Sequence, residues 1–441
     1  MTISRRALLG TAGAAALAGL TSGCRGLTER VSTTSGGSRN TLTFQTWGAD
    51  AEAAAFQKLV SQFEDAHRGV TVDLQVVPYS EMFTGIDAGL QSGTAPDVFR
   101  VDYLTMGLYS STDQLLDVTD ALGSLDATLG DDLLPGLARA VQYDGRTYGV
   151  PQQTDTSAVL VRTDALAAAG LTALPDSLDA AWSWEEFGDV ADQLADGLDD
   201  GRLPFAVNWQ QAGAYRWLSW LFQADGRLYD EGLDGSAIDS DAGRKALEFT
   251  ASFFERGWVP QGTSTKGATY PDTLFASGDL AMLFAGNFLL PTLQDTIGDR
   301  FEYVATYPPR DVRAAGDLGG NALVATRTAR NPELAAEFLS FMAGRDQMAA
   351  FCAEAVLLPT RQSLIEQGLE FAVRPDLMPV FLDQATTLTE EDIAQVTTPT
   401  FAEINLALQN ELEETFVGGR SIDDTLSALA DAVAETTSLT S

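Results

Sequence analysis

The chain has 441 residues, 45% of them apolar, with 27 Lys and Arg against 62 Asp and Glu and a formal net charge of −35. A body this acidic repels nucleic acid and anionic lipid, so neither is an expected partner. One histidine, His67, and two cysteines, Cys24 and Cys352, leave almost no material for a Ser-His-Asp triad or a histidine-rich metal site, and neither a metal nor a cofactor is expected.

Read from its start, the chain carries Arg5 and Arg6 before an uncharged run, Ala7 to Leu20, that is 14 residues long. A lasting transmembrane helix needs about 20 residues. A basic start, a short apolar centre and small residues before a cut point describe an export signal over residues 1–23. Arg5-Arg6 after Ser4 resembles the twin-arginine type, and it is equally the ordinary basic start of a secretory signal. Thr21-Ser22-Gly23-Cys24 resembles the lipobox of bacterial lipoproteins, which implies lipidation of Cys24 as the first mature residue. It departs from that pattern in placing Leu20 four residues before the cysteine instead of three. Residues 24–40 are rich in Ser, Thr and Gly and read as a flexible tether. Loss of residues 1–23, which hold Arg5 and Arg6 and no acid, takes the formal charge from −35 to −37. Three lysines in all, Lys58, Lys245 and Lys266, fit a salt-adapted host and a GC-rich one alike.

Beyond the tether, TLTFQTW (41–47) predicts a strand. AEAAAFQKLVSQFEDAH predicts a helix with Phe56, Leu59, Val60 and Phe63 on one face, ending before Gly69. VTVDLQVVP, YSEMFTGIDAGLQSG and PDVFRVDY continue as strand, helix and strand, which implies an α/β lobe with a largely parallel sheet. Extended segments run through RTYGVPQQTDTSAVLVRTDAL. WSWEEFGDVADQLAD predicts a helix with Ser183 as N-cap and Glu186 completing a capping box. Further helices are predicted in AYRWLSWLFQAD, AGRKALEFTASFFERG and NPELAAEFLSFMAG, and a helical pair closes the chain. Cys352, in the apolar MAAFCAEAV, reads as a buried thiol.

Taken together, several of these stretches resemble the carbohydrate-binding proteins of ABC importers. They are RTYGVPQQTDTSAVLVRTDALAAAGL with SWEEF downstream, PDTLFASGDLAMLFAGNF, GGNALVATRTARNPELAAEFLSFM, LLPTR, and EINLALQNELEETFVGGRSIDDTLSALADAV, in that order from about Thr41 to the end. The resemblance implies a two-lobed α/β fold of the periplasmic-binding-protein type, with a ligand cleft between lobes joined by crossing strands. It implies one lobe from 41–152 and 318–358 and another from 153–317 and 359–441. It also implies a monomer outside the membrane that closes on a carbohydrate ligand and docks on ABC permease subunits, with no enzymatic activity and no membrane contact beyond the lipid anchor.

A sugar presents an apolar C–H face to aromatic rings and a rim of hydroxyls to planar donors and acceptors. Trp47 and Glu52 lie where the first strand meets its helix, and Glu52 could as well serve the helix N-terminus. Asp102 and Tyr103 stand at the ligand end of the third strand, with a cap or an Arg100 pair as the alternative for Asp102. Asp155 lies at the first crossing. Trp209 ends an extended stretch and is a candidate for stacking, whereas Trp217, Trp220, Trp182, Trp184 and Trp258 read as structural. The resemblance adds Gly286 and Asn287, although Asn287 stands where the family often has Trp. It also adds Gly320 and Asn321, near paired glycines that could allow close ligand approach or a hinge, and Arg361, which could reach the cleft or cap a helix. Two other readings stand beside a sugar receptor: a glycerol-phosphate or polyol receptor of the same fold, and a glycoside hydrolase with paired carboxylates.

Overall fold

The computed structural model of the chain describes residues 39–199 and 201–438. The expected signal peptide, Cys24 and the expected tether up to residue 38 lie outside the described residues. No helix among the described residues is long and apolar enough to cross a membrane.

Among the described residues ten strands are present: β1 (Thr41–Thr46), β2 (Thr71–Val76), β3 (Val98–Asp102), β4 (Gln142–Tyr143), β5 (Arg146–Thr147), β6 (Gly149–Asp155), β7 (Ser157–Arg162), β8 (Met282–Gly286), β9 (Tyr303–Thr306) and β10 (Gly319–Ala325). Five form one sheet in the order β2-β1-β3-β10-β6. β1 pairs in parallel with β2 and β3, and β10 pairs antiparallel with both β3 and β6, so β10 alone runs against the other four. The largely parallel character expected from the strand-helix alternation holds, with this one reversed strand returning from elsewhere in the chain. A second sheet, β8-β7-β9, is wholly antiparallel, and β4 with β5 forms a short hairpin.

Local chemistry places these elements. β1 alternates because Leu42, Phe44 and Thr46 turn inward. The helix Asp50–Ala66 buries Phe56, Leu59, Val60 and Phe63, and the rings of Phe56 and Phe63 meet Phe351 and Phe338 from two helices far along the chain. The helix Trp184–Gly197 begins in the predicted capping box: Glu186 N donates to Ser183 Oγ, and Ser183 N donates to Glu186 Oε2 at 2.7 Å. In AYRWLSWLFQAD the expected single helix is a 3-10 turn, Gly213–Trp217, leading into a short helix, Leu218–Gln223.

The molecule is a two-lobed fold of the periplasmic-binding type. β6 belongs to the five-stranded sheet, and after Thr156 the chain enters the second sheet as β7, so the first crossing is a single residue long. The chain returns between β9 and β10. The expected assignment of 359–441 wholly to the second lobe needs correction. Thr360 Oγ1 donates to Pro151 O of β6, and Leu364 sits in the core of the five-stranded lobe, so residues 359–368 stay with that lobe. The helix Glu390–Gln395 also lies against it: Ile393 reaches Gly136, and Glu390 pairs with Arg139. The helix Phe401–Phe416 packs on both Tyr103–Ser111 and Gly213–Trp217. Gly107 permits this approach, since a Cβ there would lie 2.7 Å from backbone atoms of Thr397 and Thr398. Such a bridge is a long-range packing outcome that no local pattern in 359–441 encodes.

Candidate ligand-binding site

A cavity of about 470 Å³ opens where the C-terminal ends of β1, β3 and β6 and the N-terminal end of β10 meet residues of the second lobe. This is the edge of an open α/β sheet where ligand sites collect, because strand ends and loops project side chains there without breaking the ladder. Register fixes the neighbours: Asn321 of β10 lies opposite Asp102 of β3 and Gln153 of β6, and Gly319 lies opposite Asp155.

At the floor, a polar chain is fully aligned. Gln153 Nε2 donates to Asn321 Oδ1 at 2.5 Å, Asn321 Nδ2 donates to Asp102 Oδ1 at 2.7 Å, and Tyr79 OH donates to Asp102 Oδ2 at 2.8 Å. Burial pushes the Asp102 carboxyl up to about 6, against the hydrogen bonds from Tyr79 and Asn321 and the pull of Arg100 and Arg216. On one wall Arg100, 1% exposed, donates to Glu52 Oε1 and to Trp47 O, each at 2.9 Å, and its guanidinium lies 4.6 Å from the Trp47 ring centre. Glu52 is therefore the counter-ion of Arg100, and its side chain makes no helix-cap hydrogen bond. Tyr79 meets Trp47 edge-on at 5.3 Å, which completes an aromatic corner.

Asp155 and Arg216 face the cavity from either side of the first crossing. Asp155 is 8% exposed, and its buried Oδ1 has no hydrogen-bond partner. Burial pushes its carboxyl up to about 7, with Arg216 opposing the rise and Asp317 adding to it. Arg216, 5% exposed, lies among Tyr215, Tyr270 and Phe288, with Nε 3.3 Å from Asp317 Oδ2. Asp317 in turn accepts from Ser157 N at 2.8 Å and from Ser157 Oγ at 3.0 Å, which ties the second crossing to the first. Gln211 and Ala212, immediately before the Gly213–Trp217 turn, both have positive φ (53° and 60°), and Gln211 lines the cavity. Strained non-glycine backbone of this kind persists where surrounding structure holds it, often at ligand clamps.

Of the residues singled out from sequence, Trp47, Glu52, Asp102, Asp155, Gly320 and Asn321 line the cavity. Five others are placed elsewhere. Tyr103 is buried behind the floor and donates to Gln153 O at 3.0 Å. Trp209 lies in the core, fully buried, stacked on Phe416 at 5.4 Å, so its ring has no face open to a solute. Gly286 lies under the Phe288 ring, which lines the cavity in its place. Asn287, fully buried, accepts from Thr156 N and donates to Val356 O at 2.7 Å, bracing the crossings. Arg361 is 2% exposed and donates to Asp126, Asp132 and Ala343 O, deep in the first lobe. The cavity contains residues the sequence reading passed over: Tyr79, Tyr215, Arg216, Tyr270 and Asp272. Arg216 had a signal, a lone charge inside the apolar run AYRWLSWLF. Among the described residues no group of three or more His, Cys, Asp or Glu is placed to hold a metal ion.

The model of the bacterial extracellular solute-binding protein family matches residues 58–377. The chain belongs to this family. Among curated relatives of this solute-binding protein is the lactose-binding protein of Rhizobium radiobacter, 21% identical over 322 residues, which cover 69% of this chain and 71% of that one. Another is the erythritol/L-threitol-binding protein of Mycolicibacterium smegmatis, 25% identical over 288 residues, 60% of this chain and 55% of that one. Among solved structures, the GacH receptor of Streptomyces glaucescens, described unliganded and in complex with acarbose and an acarbose homolog, superposes with a TM-score of 0.78. It is 22% identical, over 90% of this chain and 98% of that one. At that identity the likeness concerns the fold.

Proposed function

We propose that this solute-binding protein is the lipid-anchored receptor of an ABC importer, held at the outer face of the membrane through Cys24, and that it delivers a sugar or short oligosaccharide to the permease as a monomer. The observation that carries the reading is the cavity itself. Aligned carboxylate, amide and guanidinium groups form its floor, and Trp47, Tyr79, Tyr215 and Tyr270 supply apolar faces for sugar C–H groups. The two-lobed fold allows closure over the solute by movement at the crossings.

Charge weighs against a phosphate ester. Glu52, Asp102, Asp155 and Asp272 line the cavity against Arg100 and Arg216, and Arg100 is already engaged by Glu52. An anion would meet net negative potential in a site of low dielectric. A neutral polyol stays compatible with the same groups, and the names of the relatives above include both a sugar and a polyol.

Thermal shift of the purified protein against monosaccharides, maltose, trehalose, cellobiose, xylo-oligosaccharides, erythritol and glycerol 3-phosphate tests the reading. A solute at 100 times its Kd adds about 2.7 kcal/mol of stability. A rise with one sugar class supports a sugar receptor, a rise with erythritol alone a polyol receptor, and a rise with glycerol 3-phosphate alone rejects the charge argument. Radiolabelled palmitate tests the anchor in the same host: label on the wild type and none on Cys24→Ala is expected, and an unlabelled wild type removes the anchor.

A further inference from the structure

The charges around the cavity do not balance. Arg100 is paired with Glu52, and its two terminal nitrogens donate to Glu52 Oε1 and Trp47 O. Arg216 is the remaining guanidinium, and its Nε already lies 3.3 Å from Asp317, which does not line the cavity. Asp102, Asp155 and, nearer the rim, Asp272 are left to share what remains of one positive charge, and among the described residues no lysine or histidine lines the cavity. Asp102 is at least supplied with a donor on each oxygen. Asp155 is not: it is more than nine-tenths buried, and Oδ1 has no donor at all. A buried carboxylate without a cation or donors is costly, and folded proteins ordinarily supply one or the other.

We propose that the solute carries a protonated amine on its polyhydroxyl frame, seated against Asp155, so that the transported class is an amino sugar or an oligosaccharide containing one. This rests on the sugar-receptor reading and narrows it. An ammonium supplies both missing quantities, a positive charge and up to three N–H donors, where a hydroxyl supplies one donor and no charge. Its neighbours then divide the work. Asp155 and Asp102 face the amine, Arg216 donates to ring or hydroxyl oxygens, and Trp47 and Tyr79 take the apolar face. The groups that set the field at Asp155 are Arg216 and Asp317 from the second lobe and second crossing, and Glu52 and Arg100 from the first lobe. The unliganded carboxyl, raised to about 7 by burial, holds a proton in place of the absent cation. An ammonium must displace that proton, so amine binding strengthens as pH rises from 5.5 to 7.5.

Calorimetric titration of the full wild-type protein with matched solutes tests this. The solutes are D-glucosamine against D-glucose, D-galactosamine against D-galactose, D-mannosamine against D-mannose, and the chitosan disaccharide against cellobiose. The N-acetylated amines serve as controls that keep the nitrogen and lose the charge. At pH 7.5 at least one amine is expected to bind about tenfold or more tightly than its hydroxyl and N-acetyl counterparts, with the ratio shrinking at pH 5.5. Asp155→Asn is expected to bring the ratio close to one. The wild-type comparison and its pH dependence stand on their own if that variant does not fold. A hydroxyl or N-acetyl sugar that binds as tightly as its amine overturns the proposal and leaves the sugar-receptor reading intact. No binding by any member overturns both.

Discussion

Asp155 is the residue at which stability and binding are set against each other. Its carboxyl, raised to about 7 in the fold by burial, ionises near 3.9 in the unfolded chain. Between those values the folded state holds the extra proton, so its contribution falls as pH rises from about 4 to about 7 and stays low above that. Asp155→Asn removes the penalty. Urea unfolding of the unliganded variant is expected to show about 1–3 kcal/mol more stability than wild type at pH 8 and little difference at pH 4. Equal stability at both values would mean that the site already compensates the charge. Asp97 titrates in the opposite sense. Burial alone would raise it, but hydrogen bonds from Arg330 and Thr43 hold it below the usual carboxylate range, so its contribution is lost as pH falls below about 4. The sequence brings forward Asp102, which lines the cavity, because a polar residue at the end of an apolar strand is a local pattern. It places Arg361 and Trp209 badly. Their partners, Asp126 and Asp132 for the first and Phe416 for the second, lie far along the chain and leave no local mark.

At the scale of elements, the site depends on β10 lying close against β6. Gly320 has φ +105°, and a Cβ there would come within 2.5 Å of Thr154 Cα and 2.6 Å of Gln153 O. The glycine pair read from sequence as a ligand approach or a hinge is thus needed for strand-to-strand contact and backbone conformation. Gly320→Ala is expected to cost more than about 1 kcal/mol and to weaken solute binding, since relief of the clash moves Asn321 away from Asp102. Denaturant unfolding and titration of the same preparation check it; an alanine variant with wild-type stability would contradict this account of the glycine. The capping box at Ser183 was legible because cap, acid and apolar period fall within a few residues. The 3-10 turn Gly213–Trp217 was not, because it follows from two positive-φ residues and from Asn405 donating to Ala212 O at 2.7 Å.

The whole molecule carries the acidic excess first seen in its composition. Ion pairs such as Lys58–Glu354 and Arg327–Asp113 are exposed and individually weak, and they leave most of the charge uncompensated. Self-repulsion therefore acts against the compact state. The melting temperature is expected to rise steadily as NaCl goes from about 0.01 M, where the screening length is roughly 30 Å, to about 1 M, where it is roughly 3 Å. A flat or falling profile would show that local pairing outweighs the net field.

By itself, the sequence determined the acidic body, the alternation of strands and helices in the first lobe and, through the order of its motifs, the two-lobed family. These are written in short-range patterns and in composition. Only the tertiary structure decided which polar groups face the solute. The cavity is assembled from strand ends and turns that lie more than two hundred residues apart, as Asn321 and Asp102 do. Burial, a property of the assembled fold, then separates a carboxylate with two donors from one with a buried oxygen left bare.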